Sequence, residues 1–139
     1  MANGFVFGAR SRRELEGVHP DLVAVATRAL ALTKVDFAIT DGLRTIEEQK
    51  ALVARGASKT MKSRHLSGCA VDVVACIGKD KVSYNPLLLL QIKDAFFQAA
   101  KELKTPLRWG GDWNCNGDSG DESFVDMPHF ELPRGVKYP

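Results

Sequence analysis

Two short segments of the chain carry histidine and aspartate at spacings that suit a metal site. The first reads Ser-Arg-His-Leu-Ser-Gly-Cys-Ala-Val-Asp, from Ser63 to Asp72, and contains His65. The second reads Asp-Met-Pro-His, from Asp126 to His129. Catalytic zinc commonly takes three nitrogen or oxygen ligands and leaves a fourth position open. Two imidazoles and one carboxylate would supply that set, and a second carboxylate nearby would move protons without ligating.

Each of these residues also has an ordinary interpretation. Asp72 interrupts the apolar run 70–76, so it lies either on an exposed strand face or beside a partner, because a buried unpaired carboxylate is costly. His65 and His129, taken singly, are more often loop residues than ligands. His19 belongs to no such motif and is interpreted as a surface residue. Spacing alone therefore leaves the metal site as one of several interpretations.

The elements that must position these residues are a mixture of helices and short strands. Capping-box patterns at Ser11 with Glu14 and at Thr45 with Glu48 predict two helix starts. Prolines predict two more, one near residue 20 and one near residue 86 that opens the longest helix. Strands are predicted at 36–40, 70–76, 82–84, 107–109 and 129–132. The hairpin-like connections indicate an α+β fold, with a small, mainly antiparallel sheet packed against helices in a single domain.

Composition excludes several classes of protein. A chain of 139 residues has the length of one domain, and its net charge of +2 is too small to favour nucleic-acid binding. No apolar stretch approaches the roughly 20 residues that cross a bilayer, so no membrane insertion is expected. No signal-peptide pattern opens the chain. Three cysteines without a CxxC pair predict reduced thiols rather than a disulfide framework.

The two histidine segments are part of a longer resemblance. It includes Asp-Gly-Leu-Arg-Thr at 41–45, Leu-Arg-Trp-Gly-Gly-Asp-Trp-Asn at 107–114 and His-Phe-Glu-Leu at 129–132. In this order, over nearly the full length, the chain resembles zinc peptidases of the D-alanyl-D-alanine carboxypeptidase and lysostaphin-like class. Within that class it is similar to the short phage endolysins that are L-alanyl-D-glutamate peptidases.

The resemblance implies a role for each motif residue. It places His65, Asp72 and His129 as zinc ligands and Asp126 as the general acid/base, which takes a proton from the attacking water and returns it to the leaving amine. On the substrate side it places Arg44 at the oxyanion or a substrate carboxylate. Ser63 is expected to donate a hydrogen bond to the substrate or to orient a ligand. Gln49, one turn into the helix after Arg44, is a further candidate for substrate binding.

A second metal is suggested by the acidic segment before Asp126. Its side-chain oxygens alternate as in the opening of a calcium loop, with glycine sixth. Position twelve is a serine and the acid comes one place early, so these residues by themselves favour an acidic turn without an ion. Similar endolysins are calcium-responsive, which makes a regulatory Ca²⁺ site an expectation at Asp112, Asn114, Asn116, Asp118 and Glu122.

The implied substrate is the peptidoglycan stem peptide, cut between L-Ala and D-Glu to lyse the host. The length of the chain leaves no room for a separate wall-binding module, and a monomer is expected. The resemblance implies an enzyme that is synthesised in the host cytoplasm and released by a holin to act in the periplasm. The alternatives are a D,D-carboxypeptidase or dipeptidase with the same ligand set, and a non-catalytic hedgehog-like zinc-binding domain. A structural zinc domain would need four closed ligands, which the cysteine spacing does not supply.

Overall fold

The computed structural model describes residues 3–56, 64–110 and 127–133. Within these ranges the chain forms four α-helices, five strands and one 3₁₀ turn. The helices are α1 (Ala9–Leu15), α2 (Pro20–Leu32), α3 (Ile46–Ala54) and α4 (Pro86–Leu103). The strands are β1 (Phe37–Asp41), β2 (Ala70–Gly78), β3 (Lys81–Ser83), β4 (Arg108–Trp109) and β5 (His129–Glu131), and the 3₁₀ turn spans Arg64–Ser67.

Three of the four predicted helix starts are confirmed. Pro20 and Pro86 occupy the first turns of α2 and α4, where the missing N–H of proline costs no helical hydrogen bond. Thr45 caps α3 by accepting from the N–H of Glu48, while the Glu48 side chain accepts from the N–H of Thr45. Both halves of this capping box are present, so local sequence determines where α3 begins.

The predictions for Ser11 and His19 are wrong. Helix α1 already begins at Ala9, and Ser11 lies buried inside it, accepting a hydrogen bond of 3.0 Å from the N–H of Ile39. A contact with β1 thus takes the hydroxyl that a cap would have used. His19 is the N-cap of α2, with its Nδ1 accepting from the N–H of Asp21 at 3.1 Å, so it is a structural residue rather than a free surface histidine.

The predicted α+β fold is confirmed. The strands form one sheet in the order β1-β2-β5-β4, and β3 pairs with the far end of β2 as a hairpin. Every pairing is antiparallel. Strand β2 is therefore central, with β1 on one side and β5 on the other, and residues on these three strands are held in a common register.

Alternation along the strands divides the sheet into a core face and a polar face. Val71, Val73 and Phe130 join the hydrophobic core, which α2 and α4 cover. Phe96 of α4 stacks on Phe130 with ring centroids 4.0 Å apart and lies 5.4 Å from Phe37. Successive strand residues point to opposite faces, so the residues between these core positions are directed away from the helices.

Two further observations bear on the sequence predictions. No helix in the described ranges is long and apolar enough to cross a membrane. Cys69 and Cys76 are half-buried free thiols, and Cys115 lies outside the described residues.

Candidate metal centre

The strand register brings two of the predicted ligands side by side. Asp72 on β2 is the Cα partner of His129 on β5. Paired residues on neighbouring antiparallel strands project from the same face of the sheet. His65 approaches from the 3₁₀ turn that directly precedes β2. One ligand atom from each of the three residues lies within 4.8 Å of the others, so the structure places His65, Asp72 and His129 together.

The backbone of a neighbouring loop orients the His65 ring. Its Nδ1 lies 2.8 Å from the carbonyl oxygen of Gly42. A carbonyl oxygen only accepts, so the ring proton is on Nδ1 and the lone pair of the neutral ring is on Nε2. Nε2 lies 3.3 Å from Oδ1 of Asp72. His65 is 2% exposed, which leaves the ring little freedom to turn away.

The His129 ring is oriented in the opposite sense by a carboxylate. Its Nε2 lies 2.8 Å from Oε1 of Glu131, and its Nδ1 lies 3.0 Å from Oδ1 of Asp72. With Nε2–H donating to Glu131, the Nδ1 lone pair is directed at Asp72. Both rings therefore direct a lone pair at the same carboxylate oxygen.

Three lone-pair donors that converge in this way require a cation between them, either protons on the rings or a metal ion. Tetrahedral zinc, with ligands at about 2.0–2.2 Å, separates its ligand atoms by about 3.3 Å. The contacts of 3.3 Å and 3.0 Å from Asp72 to the two rings are close to this spacing. Two imidazoles and a carboxylate are also ligands that zinc prefers, so the residues fit a metal ion.

The carboxyl group of Asp72 is held in its charged form. Burial by itself would raise its pKa, but the neighbouring His129 and His65 rings, when they carry protons on the nitrogens that face Asp72, outweigh burial through hydrogen bonds and charge and hold the pKa well below its ordinary value. A carboxylate that remains ionised is available to a cation over the whole neutral range.

Arg44 lies beside the centre in a network that restricts its side chain. Its Nε donates to Oδ2 of Asp41 at 3.2 Å, Nη2 pairs with the same oxygen, and Nη1 donates to Oε1 of Gln49 at 2.6 Å. Its backbone N–H donates to the carbonyl of His65 at 2.9 Å. Gln49 is fully buried. The Gln49 side chain accepts a hydrogen bond from Arg44. The predicted role of Gln49 in substrate binding stays a prediction.

A β-bulge sets the position of this network. Ile39 pairs with Val73, and Asp41 rather than Thr40 pairs with Asp72, because the register of β1 shifts between Ile39 and Asp41. A bulge re-aims the side chains that follow it. Here the bulge places Asp41, which accepts from the Arg44 guanidinium, directly opposite Asp72.

Glycine is required at position 42 because the backbone that holds His65 passes too close to α1 for a side chain. Its carbonyl holds His65, and a Cβ at this position would overlap the backbone oxygen of Glu14. We expect Gly42→Ala to force the loop away from α1, costing about 1–3 kcal/mol of stability and weakening metal binding. Thermal unfolding of both forms, with and without zinc, measures this. The control is Gly8→Ala, since Gly8 has an ordinary φ and nothing within 4 Å of the added Cβ. Equal melting temperatures for the two variants would contradict it.

Several predicted residues lie outside the described part of the chain. They are the acid/base candidate, one substrate-side residue and the calcium-loop residues: Asp126, Ser63, Asp112, Asn114, Asn116, Asp118 and Glu122. The segment that follows Asp126 is anchored, because the indole N–H of Trp109 donates to the carbonyl of Met127 at 2.7 Å.

Two residues of the centre had no role in the sequence predictions, Asp41 and Glu131. Glu131 stands two places after His129 in a predicted strand, and alternation could have placed both on one face. Asp41 carried no such signal, because its position depends on the bulge.

Comparison with known proteins gives consistent matches. A family model described as phage L-alanyl-D-glutamate peptidase matches residues 3–133. The L-alanyl-D-glutamate peptidase of Escherichia phage T5 is 42% identical over 92% of this chain and 98% of its own length. An enzyme of the same description from Listeria phage A118 is 38% identical over 70% of this chain and 31% of its own length. The crystal structure of the Serratia marcescens L-Ala D-Glu endopeptidase ChiX superposes with a TM-score of 0.78 at 40% identity, covering 94% of this chain and 92% of that one.

Proposed function

The chain belongs to the phage L-alanyl-D-glutamate peptidase family, and we propose that it is a zinc-dependent endolysin that hydrolyses the L-Ala–D-Glu bond of the peptidoglycan stem peptide. The observation that carries the proposal is the convergence of two imidazole lone pairs and one carboxylate in a chain of this family. The named activity of the relatives with 42% and 40% identity supports the choice of bond.

Different residues are proposed to bind the metal, to transfer the proton and to stabilise the negative charge. His65, Asp72 and His129 hold zinc, which supplies Lewis acidity towards a carbonyl oxygen and lowers the pKa of water. Asp126 accepts the proton of the attacking water and donates it to the leaving amine. Arg44 binds the negative charge that develops on the scissile carbonyl oxygen or a carboxylate of the substrate. The hydrogen bonds of Arg44 to Asp41 and Gln49 support this role, because a guanidinium already held in place needs no reorganisation as charge develops.

Replacing Arg44 with lysine tests this role. A lysine keeps the charge, but its ammonium group cannot reproduce the planar guanidinium that donates to Asp41 and to Gln49 at the same time. We expect kcat to fall roughly 10²- to 10³-fold, as for the loss of one oxyanion donor, with zinc content unchanged. Arg55→Lys, at the exposed end of α3, is the matched control and should retain full activity. Comparable kinetics for the two variants would remove Arg44 from the reaction.

The function itself is tested on purified peptidoglycan. Digestion followed by mass spectrometry should yield stem fragments with a new N-terminal D-Glu, and a chelator should abolish them until zinc is restored. Release of D-Ala would instead indicate the D,D-carboxypeptidase or dipeptidase alternative. Zinc binding without any product would indicate a non-catalytic zinc-binding domain of the hedgehog-like kind.

Calcium regulation remains part of the proposal. The acidic segment from Asp112 to Glu122 precedes Asp126, so an ion bound there would order the catalytic carboxylate. We expect millimolar Ca²⁺ to raise both activity and melting temperature, with Mg²⁺ as the control, because Mg²⁺ adapts poorly to irregular oxygen cages. Asp118→Asn should weaken both responses. An enzyme indifferent to Ca²⁺ in both measurements has no such site.

Domain organisation and delivery complete the proposal. The match of the family model across residues 3–133 supports one catalytic domain over this length. We propose that this domain acts on the stem peptide as a monomer. The phage origin of its relatives supports synthesis in the host cytoplasm and action on the periplasmic wall after release by a holin. Expression with and without a holin tests this: culture lysis should require both proteins.

A further inference from the structure

Glu131 is a buried acid that the proposed mechanism does not use. It lies at the end of β5 and is 5% exposed. Carboxylates are almost never buried to this degree without partners, because desolvation of the charge is costly. Its burial beside the metal centre therefore has to be explained by what it contacts.

One oxygen of Glu131 is committed to His129. Oε1 lies 2.8 Å from Nε2 of His129, the ring nitrogen on the side away from Asp72. An imidazole that ligates a metal usually donates its other N–H to a carboxylate or carbonyl, which sets the tautomer and the ring orientation. Without this acceptor, the His129 proton could occupy either nitrogen, and the tautomer with the proton on Nδ1 cannot ligate through that nitrogen, which is the one that faces Asp72.

The second oxygen of Glu131 faces a cation. Nη1 of Arg108 lies 3.8 Å from Oε2, and the two residues are Cα partners on β4 and β5. Strand pairing thus places a guanidinium where it offsets the cost of burying the carboxylate. Arg108, Glu131 and His129 form a continuous chain of contacts that ends at the metal centre.

The geometry points to Glu131 as a positioning residue that selects the ligating tautomer of His129, with Arg108 holding the carboxylate in place. This inference rests on the proposed metal site. The corresponding acceptor for His65 is the carbonyl of Gly42. The two rings are thus oriented by different kinds of group. A backbone carbonyl, which no substitution removes, orients His65, and a side chain, which can be substituted, orients His129.

Three substitutions separate contact from charge. Glu131→Gln keeps an acceptor at the same reach and loses the charge, Glu131→Asp keeps the charge but is shorter by one methylene, and Glu131→Ala loses both. We expect zinc affinity, measured by competition with a chromogenic chelator, to fall by roughly 10- to 100-fold in the Asp and Ala variants and less in the Gln variant. In the zinc-loaded protein, the ¹⁵N spectrum of His129 should show a ligating Nδ1 and an Nε2–H that is protected from solvent exchange in the wild type, and this protection should be lost in Glu131→Ala.

Glu102→Gln is the matched control, because Glu102 also pairs with an arginine, Arg28 at 2.9 Å, and lies on α4, which covers the opposite face of the sheet from Asp72 and His129. It should change neither zinc affinity nor the ¹⁵N shifts. Melting of the metal-free variants separates loss of affinity from loss of folding. The inference is overturned if the wild type binds zinc and all three Glu131 variants match its affinity and its protected Nε2–H signal. A wild type that binds no zinc would overturn the metal site as well.

Discussion

Asp72→Asn is expected to remove zinc and peptidase activity together. The substitution preserves shape but takes away the one negative charge among the three ligands, and the two ring lone pairs remain directed at a neutral amide. A catalytic metal supplies several kcal/mol of transition-state stabilisation, and about 1.4 kcal/mol is tenfold in rate. We therefore expect kcat/KM to fall roughly a thousandfold or more. Zinc content per chain and hydrolysis of purified stem peptides measure the two effects.

The matched control for Asp72→Asn is Asp94→Asn. Asp94 is an exposed carboxylate on α4 that pairs with the ammonium group of Lys93 at 2.6 Å. Its substitution should leave zinc content and activity at wild-type values. Chelation of the wild type followed by addition of zinc should reproduce first the loss and then the recovery. An Asp72→Asn enzyme that keeps its zinc and its rate would show that the carboxylate is not a ligand.

Asp126→Asn is expected to stop turnover while the metal stays bound. An amide cannot accept the proton of the attacking water, and loss of a general acid/base typically costs 10²–10⁴-fold. Zinc content should remain near one per chain, in contrast to Asp72→Asn. This contrast distinguishes a proton-transfer group from a ligand.

Asp126→Glu provides the conservative comparison. Some zinc peptidases of the D-alanyl-D-alanine carboxypeptidase and lysostaphin-like class use glutamate as the general acid/base. The longer carboxylate in Asp126→Glu should therefore retain part of the activity that Asp126→Asn loses. Loss of zinc in either Asp126 variant would instead make Asp126 a ligand. Full activity in Asp126→Asn would assign the proton transfer to another group.

The helix starts show what local sequence can determine. Thr45, Pro20 and Pro86 act within one helical turn, so their effect can be inferred without the rest of the fold. Ser11 shows the limit of the same reasoning. Its hydroxyl bonds a backbone N–H 28 residues further along the chain, and a contact over that distance has no local signature.

The candidate metal centre also has features that follow from the sequence and features that depend on the fold. Sequence by itself determined the residue types, the strands that carry Asp72 and His129 and, through resemblance, the family. Only the tertiary structure decided which lone pair each histidine presents, because that depends on Gly42 and Glu131 as acceptors. A ring nitrogen's proton follows its hydrogen-bond partner, and the partner of His65 is 23 residues away in the chain.

The position of Arg44 was also decided by tertiary structure. Its place in the sequence motif predicted a role at the substrate, but the guanidinium is held by Asp41, which faces Asp72 only because β1 contains a bulge. One extra residue in a strand reverses which side chains face the site, and no pattern of residue types in β1 indicates where the shift occurs. Chemistry could thus be inferred from residue types and spacing, while orientation required the complete sheet.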